Sequence, residues 1–330
     1  MKNIVIFDEY SVTDLKSTNL LKEYISLLAL EDGQFFPAAQ SRKVVCPACG
    51  EKDIRRSFFK FAFVDCECAA CLSLYVSPRP SDAAIDHFYK TSKARAFWNE
   101  RSYSSSAPRR QEKIIKPRFQ WMEDSTQEYF PKARKYADVN TNQRGYLARI
   151  AGLSFASKTL LNPLMPLTPA DVPAGLTIAN SMQGNFDMIS LFETLDHTSD
   201  VAGLFGRLRG ALSDGGLCFI TGILASGFAV KVLGEQAANI YPPDRLNVFS
   251  VEGIKKLIDH NGFECLELST PGILDVDLVA KALCEDAKIS ISPFLRDLVL
   301  SVDTEKRRSF QEFLQANLLS SYGRILIRKI

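Results

Sequence analysis

The sequence predicts an α/β protein with a parallel sheet and a small metal-binding ribbon before the sheet. Three observations predict it. A strand, a helix and a second strand follow one another between Asp187 and Thr221, further apolar segments have the length of buried strands, and two Cys-x-x-Cys pairs precede them. Alternation of strands and helices is typical of parallel sheets with helices on both faces.

The central unit begins with the apolar run Met188–Phe192, which is too short for a lone helix and is typical of a buried strand. Apolar residues then recur at helical spacing from Val201 to Leu212, and Leu217–Thr221 is the second strand. We expect Thr198 or Ser199 to cap the helix and the following Asp-Gly-Gly to end it. Such units wind right-handed, and their chemistry lies just beyond the carboxyl ends of the strands.

The composition limits the classes of function. The 330 residues include 46% hydrophobic and 24% charged residues, with a net charge of +2 and no apolar run of membrane-spanning length. A near-neutral charge gives no general attraction to nucleic acid. The first residues lack the pattern of a secretory signal, so we expect a cytoplasmic protein. In that reducing compartment, clustered cysteines favour metal binding over disulfides.

The two Cys-x-x-Cys pairs predict a structural zinc site. Cys46 and Cys49 form the first pair, and Cys68 and Cys71 form the second, a spacing typical of zinc ribbons. Four thiolates complete a tetrahedral site and leave no position for a substrate, so the metal would stabilise the fold. Cys66 is expected to be a spare thiol. The alternative is a set of buried cysteines without a metal.

Changes in composition divide the chain into three parts. We expect an amino-terminal helix and the ribbon in 1–80, a helical connector in 81–135, and the main domain in 136–330 with a helical insertion near 276–319. In the connector, a helix from about Arg110 to Tyr129 would cover the first main strand. Its basic residues are typical of a solvated helix face, although they could also meet a phosphate.

The central unit resembles the second half of the class I S-adenosylmethionine-dependent methyltransferases. The resemblance implies their Rossmann-like fold, an α/β doubly wound sheet that is mostly parallel with an antiparallel last strand. The stretch FDMISLFETLDH, the helix after it and LSDGG match that family's FD-apolar-EVLEH, helix and L-x-PGG. The ribbon followed by LYVSPRP is similar to a branch found among enzymes that modify sugars and surface glycans, including deoxysugar C-methyltransferases. The segments YPPDRLNVFS, PGILDVD and FLQANLLSSY match the same branch, with Arg245 and Tyr322 where it has histidine. The resemblance implies a sugar or glycan intermediate as substrate.

The resemblance also implies an S-adenosylmethionine site at the end of the first main strand. The family has Asp, an apolar residue and Gly-x-Gly-x-Gly there, and the glycines let the backbone approach the cofactor. In this chain Asp138 is retained, Asn140, Asn142 and Arg144 stand at the glycine positions, and Gly145 follows one place late. Asparagine also replaces the acid that binds the ribose after the second strand. The implied cofactor residues are Asp138, Asn140, Asn142, Gly145, Asn162 and Phe192.

These replacements leave three functional hypotheses open. In the first, the chain is an active methyltransferase in which His197 deprotonates the acceptor and Glu193 or Asp196 orients the imidazole. The alternative is a structural role, in which Asp196 and His197 only cap the neighbouring helix. In the second, the domain is a catalytically inactive relative that binds a protein partner, a second copy or a glycan intermediate. In the third it acts on RNA, which the near-neutral charge disfavours.

Overall fold

The computed structural model describes residues 18–37, 40–141, 143–286 and 288–330. The strands are β1 (Ile54–Lys60), β2 (Phe63–Cys68), β3 (Leu74–Val76), β4 (Lys135–Val139), β5 (Ser157–Leu161), β6 (Leu176–Ala179), β7 (Phe186–Phe192), β8 (Leu212–Ile223), β9 (Asn247–Val248), β10 (Phe263–Ser269) and β11 (Tyr322–Lys329). The helices before β4 are α1 (Thr18–Phe35), α2 (Asp82–Thr91), α3 (Lys93–Phe97), α4 (Ser104–Arg110) and α5 (Lys116–Tyr129). Those after it are α6 (Gly145–Ala151), α7 (Thr194–His197), α8 (Val201–Ala211), α9 (Phe228–Leu233), α10 (Val251–His260), α11 (Asp275–Glu285), α12 (Pro293–Val299) and α13 (Thr304–Ala316).

The main sheet has seven strands in the order β10-β11-β8-β7-β4-β5-β6. The pairs from β8 to β6 are parallel, whereas β11 runs antiparallel to both of its neighbours. The predicted fold class, a doubly wound and mostly parallel sheet with an antiparallel last strand, is confirmed. Because β4 lies between β5 and β7, the chain changes direction across the sheet at β4, which is where sheets of this kind bind ligands.

Both faces of the sheet are covered, and successive residues of β7 show why the strand is apolar throughout. Ile189 and Leu191 pack in the cluster that includes α8 and α10, while Met188 and Phe192 pack in the opposite cluster with α5 and α6. Side chains alternate between the faces of a strand, so a strand buried on both sides carries no polar alternation.

The start of α8 differs from the prediction. Asp200, and not Thr198 or Ser199, caps the helix, because its carboxylate accepts the Gly203 N–H. The two predicted hydroxyls are already used elsewhere: Thr198 Oγ1 donates to Thr194 O, and Ser199 Oγ donates to the carbonyl of Pro80. The helix also ends earlier than expected, since β8 begins at Leu212 and runs through the Asp-Gly-Gly turn.

The ribbon is a three-stranded antiparallel sheet that the main domain extends. β1 pairs with β2, β2 pairs with β3, and β3 pairs with β9, which lies far away in sequence. Ser250, the cap of α10, donates from its hydroxyl to Cys71 O, and the Ser250 N–H donates to Ser73 Oγ. Gly253 permits this contact, because a Cβ there would lie 2.2 Å from Ser73 Oγ. The ribbon and the main domain therefore share hydrogen bonds and core.

The helices of the connector and the carboxyl-terminal part follow the predictions in outline. A π-helical turn (Gln111–Ile115) and α5 replace the single helix expected from about Arg110, and three separate helices, α11 to α13, occupy most of 275–316. Among the residues that the structure describes, none of the helices combines the length and the apolar character needed to span a membrane.

Candidate functional site

Three neighbouring strands of the main sheet end in the same way, and this builds the candidate site. Asn140, Asn162 and Glu193 directly follow β4, β5 and β7, and each has a left-handed backbone with φ of 57°, 47° and 59°. Each N–H donates to a carbonyl of the neighbouring strand: Asn140 to Leu161 O and Asn162 to Ala179 O, at the ends of β5 and β6, and Glu193 to Thr221 O, two residues before the end of β8. These bonds hold three polar side chains at one edge of the sheet, beside the crossover at β4.

The first two of these residues are bonded to each other. Asn162 Nδ2 donates to Asn140 Oδ1 at 3.2 Å, across the gap between the ends of β4 and β5. The same nitrogen lies 3.2 Å from Asp86 Oδ2 on α2, and Lys90 Nζ lies 3.5 Å from Asn162 Oδ1. The position where the resemblance implies a ribose-binding acid is therefore occupied by an amide inside a small polar cluster that α2 completes.

The remaining residues of the altered glycine loop lie in different places. Arg144 is turned outward, where its guanidinium pairs with Asp171 and donates to Pro166 O. Gly145 opens α6 against Ile115, whose Cδ1 would lie 2.9 Å from an added Cβ. Asn142 lies outside the described residues. Arg144, at the third glycine position, therefore does not fill the space at the end of β4. The side chain of Asn140 does lie in that space.

Asp138 is buried in the sheet and serves the turn after β4. Its carboxylate accepts from the hydroxyls of Ser190 and Thr141, and Tyr136 OH lies 3.5 Å from Oδ1. Burial raises the pKa of Asp138 to about 6, against the lowering effect of these hydroxyl donors. Because Thr141 lies within the turn, Asp138 positions the loop that carries Asn140.

Two arginines converge on Glu193 at the end of β7. Arg118 Nη2 lies 3.0 Å from Glu193 Oε1, and Arg245 Nη2 lies 3.3 Å from Oε2. Arg245 Nη1 also pairs with Asp196 at 3.2 Å, and Arg118 Nε donates to Tyr322 OH at 3.1 Å. Both positions at which the resemblance expects histidine therefore belong to this network, Arg245 through ion pairs and Tyr322 through a hydrogen bond.

Glu193 and Asp196 have different pKa values although both pair with Arg245. Burial alone would raise the pKa of Glu193, but the Arg118 and Arg245 guanidiniums hold it well below its usual range. Burial raises the pKa of Asp196 to about 7, because Arg245 only partly offsets the loss of solvation and the Glu193 charge opposes ionisation. Glu193 is a fixed anion near neutral pH, whereas Asp196 titrates there.

His197 is close to these acids in sequence but not bonded to them. Its ring is 2% exposed and packs on Tyr89, with the ring centroids 5.0 Å apart. Within the described part of the chain, neither ring nitrogen has a hydrogen-bond partner. Burial lowers the pKa of His197 to about 4, so the imidazole is neutral at pH 7. The structure brings Glu193 and Asp196 together through Arg245 and leaves His197 outside that network.

Phe192, the last implied cofactor residue, is buried in the core. It packs edge-on against Phe119 and Tyr146, and the Arg118 guanidinium lies 5.1 Å from its ring centroid. The Phe192 ring therefore packs against the Arg118 guanidinium in a cation–π contact.

A comparison with protein families agrees with this geometry. A family model described as a methyltransferase domain matches residues 78–268, more than half of the 330-residue chain. The chain belongs to the methyltransferase-domain family. The matched segment of this methyltransferase-domain protein runs from the end of the ribbon into β10, so it includes the ends of β4, β5 and β7 described above.

Several solved structures with a similar fold are methyltransferases of low sequence identity. The plantazolicin methyltransferase BpumL in complex with S-adenosylhomocysteine is 12% identical, with 74% of this chain and 93% of that chain covered and a TM-score of 0.43. An S-adenosylmethionine-dependent methyltransferase from Mesorhizobium loti is 16% identical, with 62% and 96% covered and a TM-score of 0.38. No curated protein matches the chain.

The groups present in the methyltransferase domain fit a nucleoside ligand at the ends of β4 and β5. Asn162 offers an amide and Asp86 a partly exposed carboxylate, which are groups that hydrogen-bond ribose hydroxyls. Asn140 adopts the left-handed turn that glycine usually provides. The ligand would have to displace the bond between the two asparagines, since Asn140 occupies the partner position of the Asn162 amide.

The four cysteines of the ribbon are arranged as a tetrahedral metal site requires. Their sulfurs all lie within 4.8 Å of one another, with 3.5 Å between Cys46 and Cys71 and 3.6 Å between Cys49 and Cys68. A tetrahedron with zinc–sulfur bonds of about 2.3 Å needs separations of about 3.8 Å. Cys66 stands apart, with its thiol 3.9 Å from Ser77 O. The cluster is compatible with a zinc ribbon.

The sequence analysis did not place Asp86 or Arg118 in the site, and it assigned no role to Arg245. Arg245 carried a signal, since it departs from the resembled pattern, and Arg118 lies in a basic run that we expected to be a solvated helix face. Arg118 is instead buried against Glu193 and Tyr146. Nothing local to Asp86 indicates that it reaches the end of β5.

Proposed function

We propose that this chain is an S-adenosylmethionine-dependent methyltransferase that acts on a sugar or glycan intermediate. The observation that carries the proposal is the left-handed turn at Asn140, which keeps the backbone course of a glycine loop although no glycine is present there. The outward position of Arg144 supports it, because the largest replacement in the loop does not fill the site.

The cofactor would supply an electrophilic methyl group. Asn140, Asn142, Gly145 and Asn162 would surround its nucleoside, with Asp138 holding the turn through Thr141. Phe192 would act indirectly, because its ring is buried beneath Arg118.

His197 is our proposed base for the acceptor. A neutral imidazole can accept a proton, and the lowered pKa of His197, about 4, keeps it neutral at physiological pH. The arginine pairs of Glu193 and Asp196 favour a different role for the acids. They would hold the loop after β7 in place through these ion pairs. His197→Ala should abolish methyl transfer while S-adenosylhomocysteine binding is retained, and unchanged transfer would remove the assignment.

The experiment that tests the proposed function is calorimetric titration with S-adenosylmethionine and S-adenosylhomocysteine. A dissociation constant in the micromolar range, about −8 kcal/mol, would support the enzyme. The absence of heat at millimolar ligand, with a folded and metal-loaded protein, would contradict it.

A second candidate is a catalytically inactive relative that binds a protein partner, a second copy or a glycan intermediate. The bond between Asn140 and Asn162 favours it, because the protein satisfies with its own side chains the amide that a nucleoside would use. The candidate predicts no binding of either nucleoside and an intact fold. The RNA hypothesis has no comparable support, since the net charge is only +2.

The remaining proposals concern the ribbon and the organisation of the chain. We propose that Cys46, Cys49, Cys68 and Cys71 bind a structural zinc ion, on the strength of the sulfur separations. We also propose that the chain is divided into 1–80, 81–135 and 136–330. The pairing of β3 with β9 joins the first part to the third. A cytoplasmic location is likewise proposed from the reduced, clustered cysteines.

A further inference from the structure

Helix α2 is held firmly against the strand ends, and this gives Asp86 a defined position. Ser81 caps the helix, and Asp82 Oδ1 accepts the backbone N–H of Ser199 at 2.6 Å and of Asp200 at 3.2 Å. On the buried side, Phe88 and Tyr89 pack in the core. One face of α2 is thus fixed to the loop after β7, and the position of Asp86 beside Asn162 follows from that attachment.

The chain lacks a carboxylate on β5 but holds one beside it in space. Nucleotide-binding sheets use an acid at the end of the second strand to accept hydrogen bonds from the ribose hydroxyls. Here that residue is Asn162, and Asp86 Oδ2 lies 3.2 Å from its amide nitrogen. The other oxygen, Asp86 Oδ1, has no hydrogen-bond partner among the residues that the structure describes, and the side chain is 35% exposed.

The other carboxylates near the strand ends are already used. Asp138 is buried and accepts from three hydroxyls. Glu193 is bound by Arg118 and Arg245. Asp86, by contrast, has among the described residues only a long ion pair with Lys90, at 4.0 Å, besides its contact with Asn162. It is therefore the acid at this edge that can accept new hydrogen bonds without breaking a buried ion pair.

We propose that Asp86 on α2 supplies the carboxylate that binds the ribose hydroxyls of an adenosyl ligand, in place of the acid that β5 lacks. The inference rests on the proposed function and adds a binding residue that comes from the helical connector. Asn162 would then act as a hydrogen-bond partner of Asp86 that orients its carboxylate.

The test is a titration of wild type, Asp86→Asn and Asp86→Ala with S-adenosylhomocysteine and with its analogue lacking both ribose hydroxyls. Hydrogen bonds to a charged group predict a loss of about 10- to 100-fold in affinity for the natural ribose. Affinity for the analogue should be unchanged by either variant. Asp124→Asn is the control, because it removes the same charge from an exposed side chain of α5.

A double exchange keeps the test independent of folding defects. Asp86→Asn combined with Asn162→Asp returns the carboxylate to the strand and preserves one acid and one amide, so it should regain affinity for the natural ribose. If wild type binds and the Asp86 variants bind equally well, Asp86 is not the ribose acid, while the proposed function stands. If wild type binds neither ligand at millimolar concentration, the proposed function fails and this inference fails with it.

Discussion

The side-chain amide of Asn162 donates to the side-chain oxygen of Asn140 at 3.2 Å, and this bond joins the ends of two parallel strands. The two residues stand where the resembled family has a glycine and an acid. The same pair therefore decides whether a nucleoside can enter, because Asn140 occupies the Asn162 amide that the ligand would need.

Asn140→Gly should strengthen nucleoside binding. It removes the intramolecular partner of Asn162, and glycine accepts φ of 57° without strain. We expect S-adenosylhomocysteine to bind about 3- to 10-fold more tightly by calorimetry, in line with the net value of one hydrogen bond. Leu72→Gly makes the same backbone change in the ribbon, at φ of 60°, and should leave the affinity unchanged. Weaker binding by Asn140→Gly would show that the asparagine itself contacts the ligand.

Glu193→Gln should destabilise the fold. It leaves the buried Arg118 and Arg245 guanidiniums without their shared counter-charge, which costs about 3 kcal/mol when one partner of a buried pair is removed. Urea unfolding at pH 7 measures the change. The control is Glu112→Gln, whose exposed pair with Lys116 contributes roughly 0.5 kcal/mol or less. Equal losses for the two variants would mean that the arginines find other partners.

The neutral, buried His197 should make stability depend on pH. Its pKa is lowered to about 4 in the folded state, below the ordinary value of about 6.5, so the unfolded chain binds more protons between these values. Its stabilising contribution is complete above pH 6.5 and decreases as the pH falls through that window, by about 2 kcal/mol between pH 7 and pH 5.

The variant that isolates this effect is His197→Phe, which keeps a ring against Tyr89. We expect the difference in unfolding free energy between wild type and variant to depend on pH in the stated direction. His260→Gln, exposed at the end of α10, should retain the wild-type dependence. A wild-type pH dependence in His197→Phe would show that His197 is not the group whose protonation destabilises the fold.

Removal of the metal should destabilise the main domain as well as the ribbon. The second Cys-x-x-Cys turn is bonded to the cap of α10, and β3 pairs with β9, so the ribbon and main domain should unfold together. We expect one zinc per chain by elemental analysis, lost in Cys68→Ser together with a lower melting temperature. Cys66→Ser should keep the metal, since its sulfur lies outside the cluster. An unchanged far-ultraviolet melting curve after chelation would contradict the shared stability.

Much of the fold follows from local patterns. The apolar runs that became β7 and β8, the helical spacing of α8 and the two Cys-x-x-Cys pairs are each visible within one segment of sequence, whereas the family resemblance located β4 and β5. They depend on side-chain periodicity and on covalent spacing, which act over a few residues. The same local signals indicated Thr198 or Ser199 as the cap of α8, whereas Asp200 takes that position. That choice depended on Ser199 meeting Pro80, a residue far away in the chain.

The sequence by itself therefore determined the parallel sheet, its antiparallel last strand, the positions of the altered loop residues and the cysteine cluster. Only the tertiary structure decided that Asn140 bonds to Asn162, that Arg118 and Arg245 converge on Glu193, and that α2 brings Asp86 to the end of β5. The physical reason is that these contacts join residues from separate helices and strands. Their geometry depends on how the elements pack, which no periodicity within a single segment encodes.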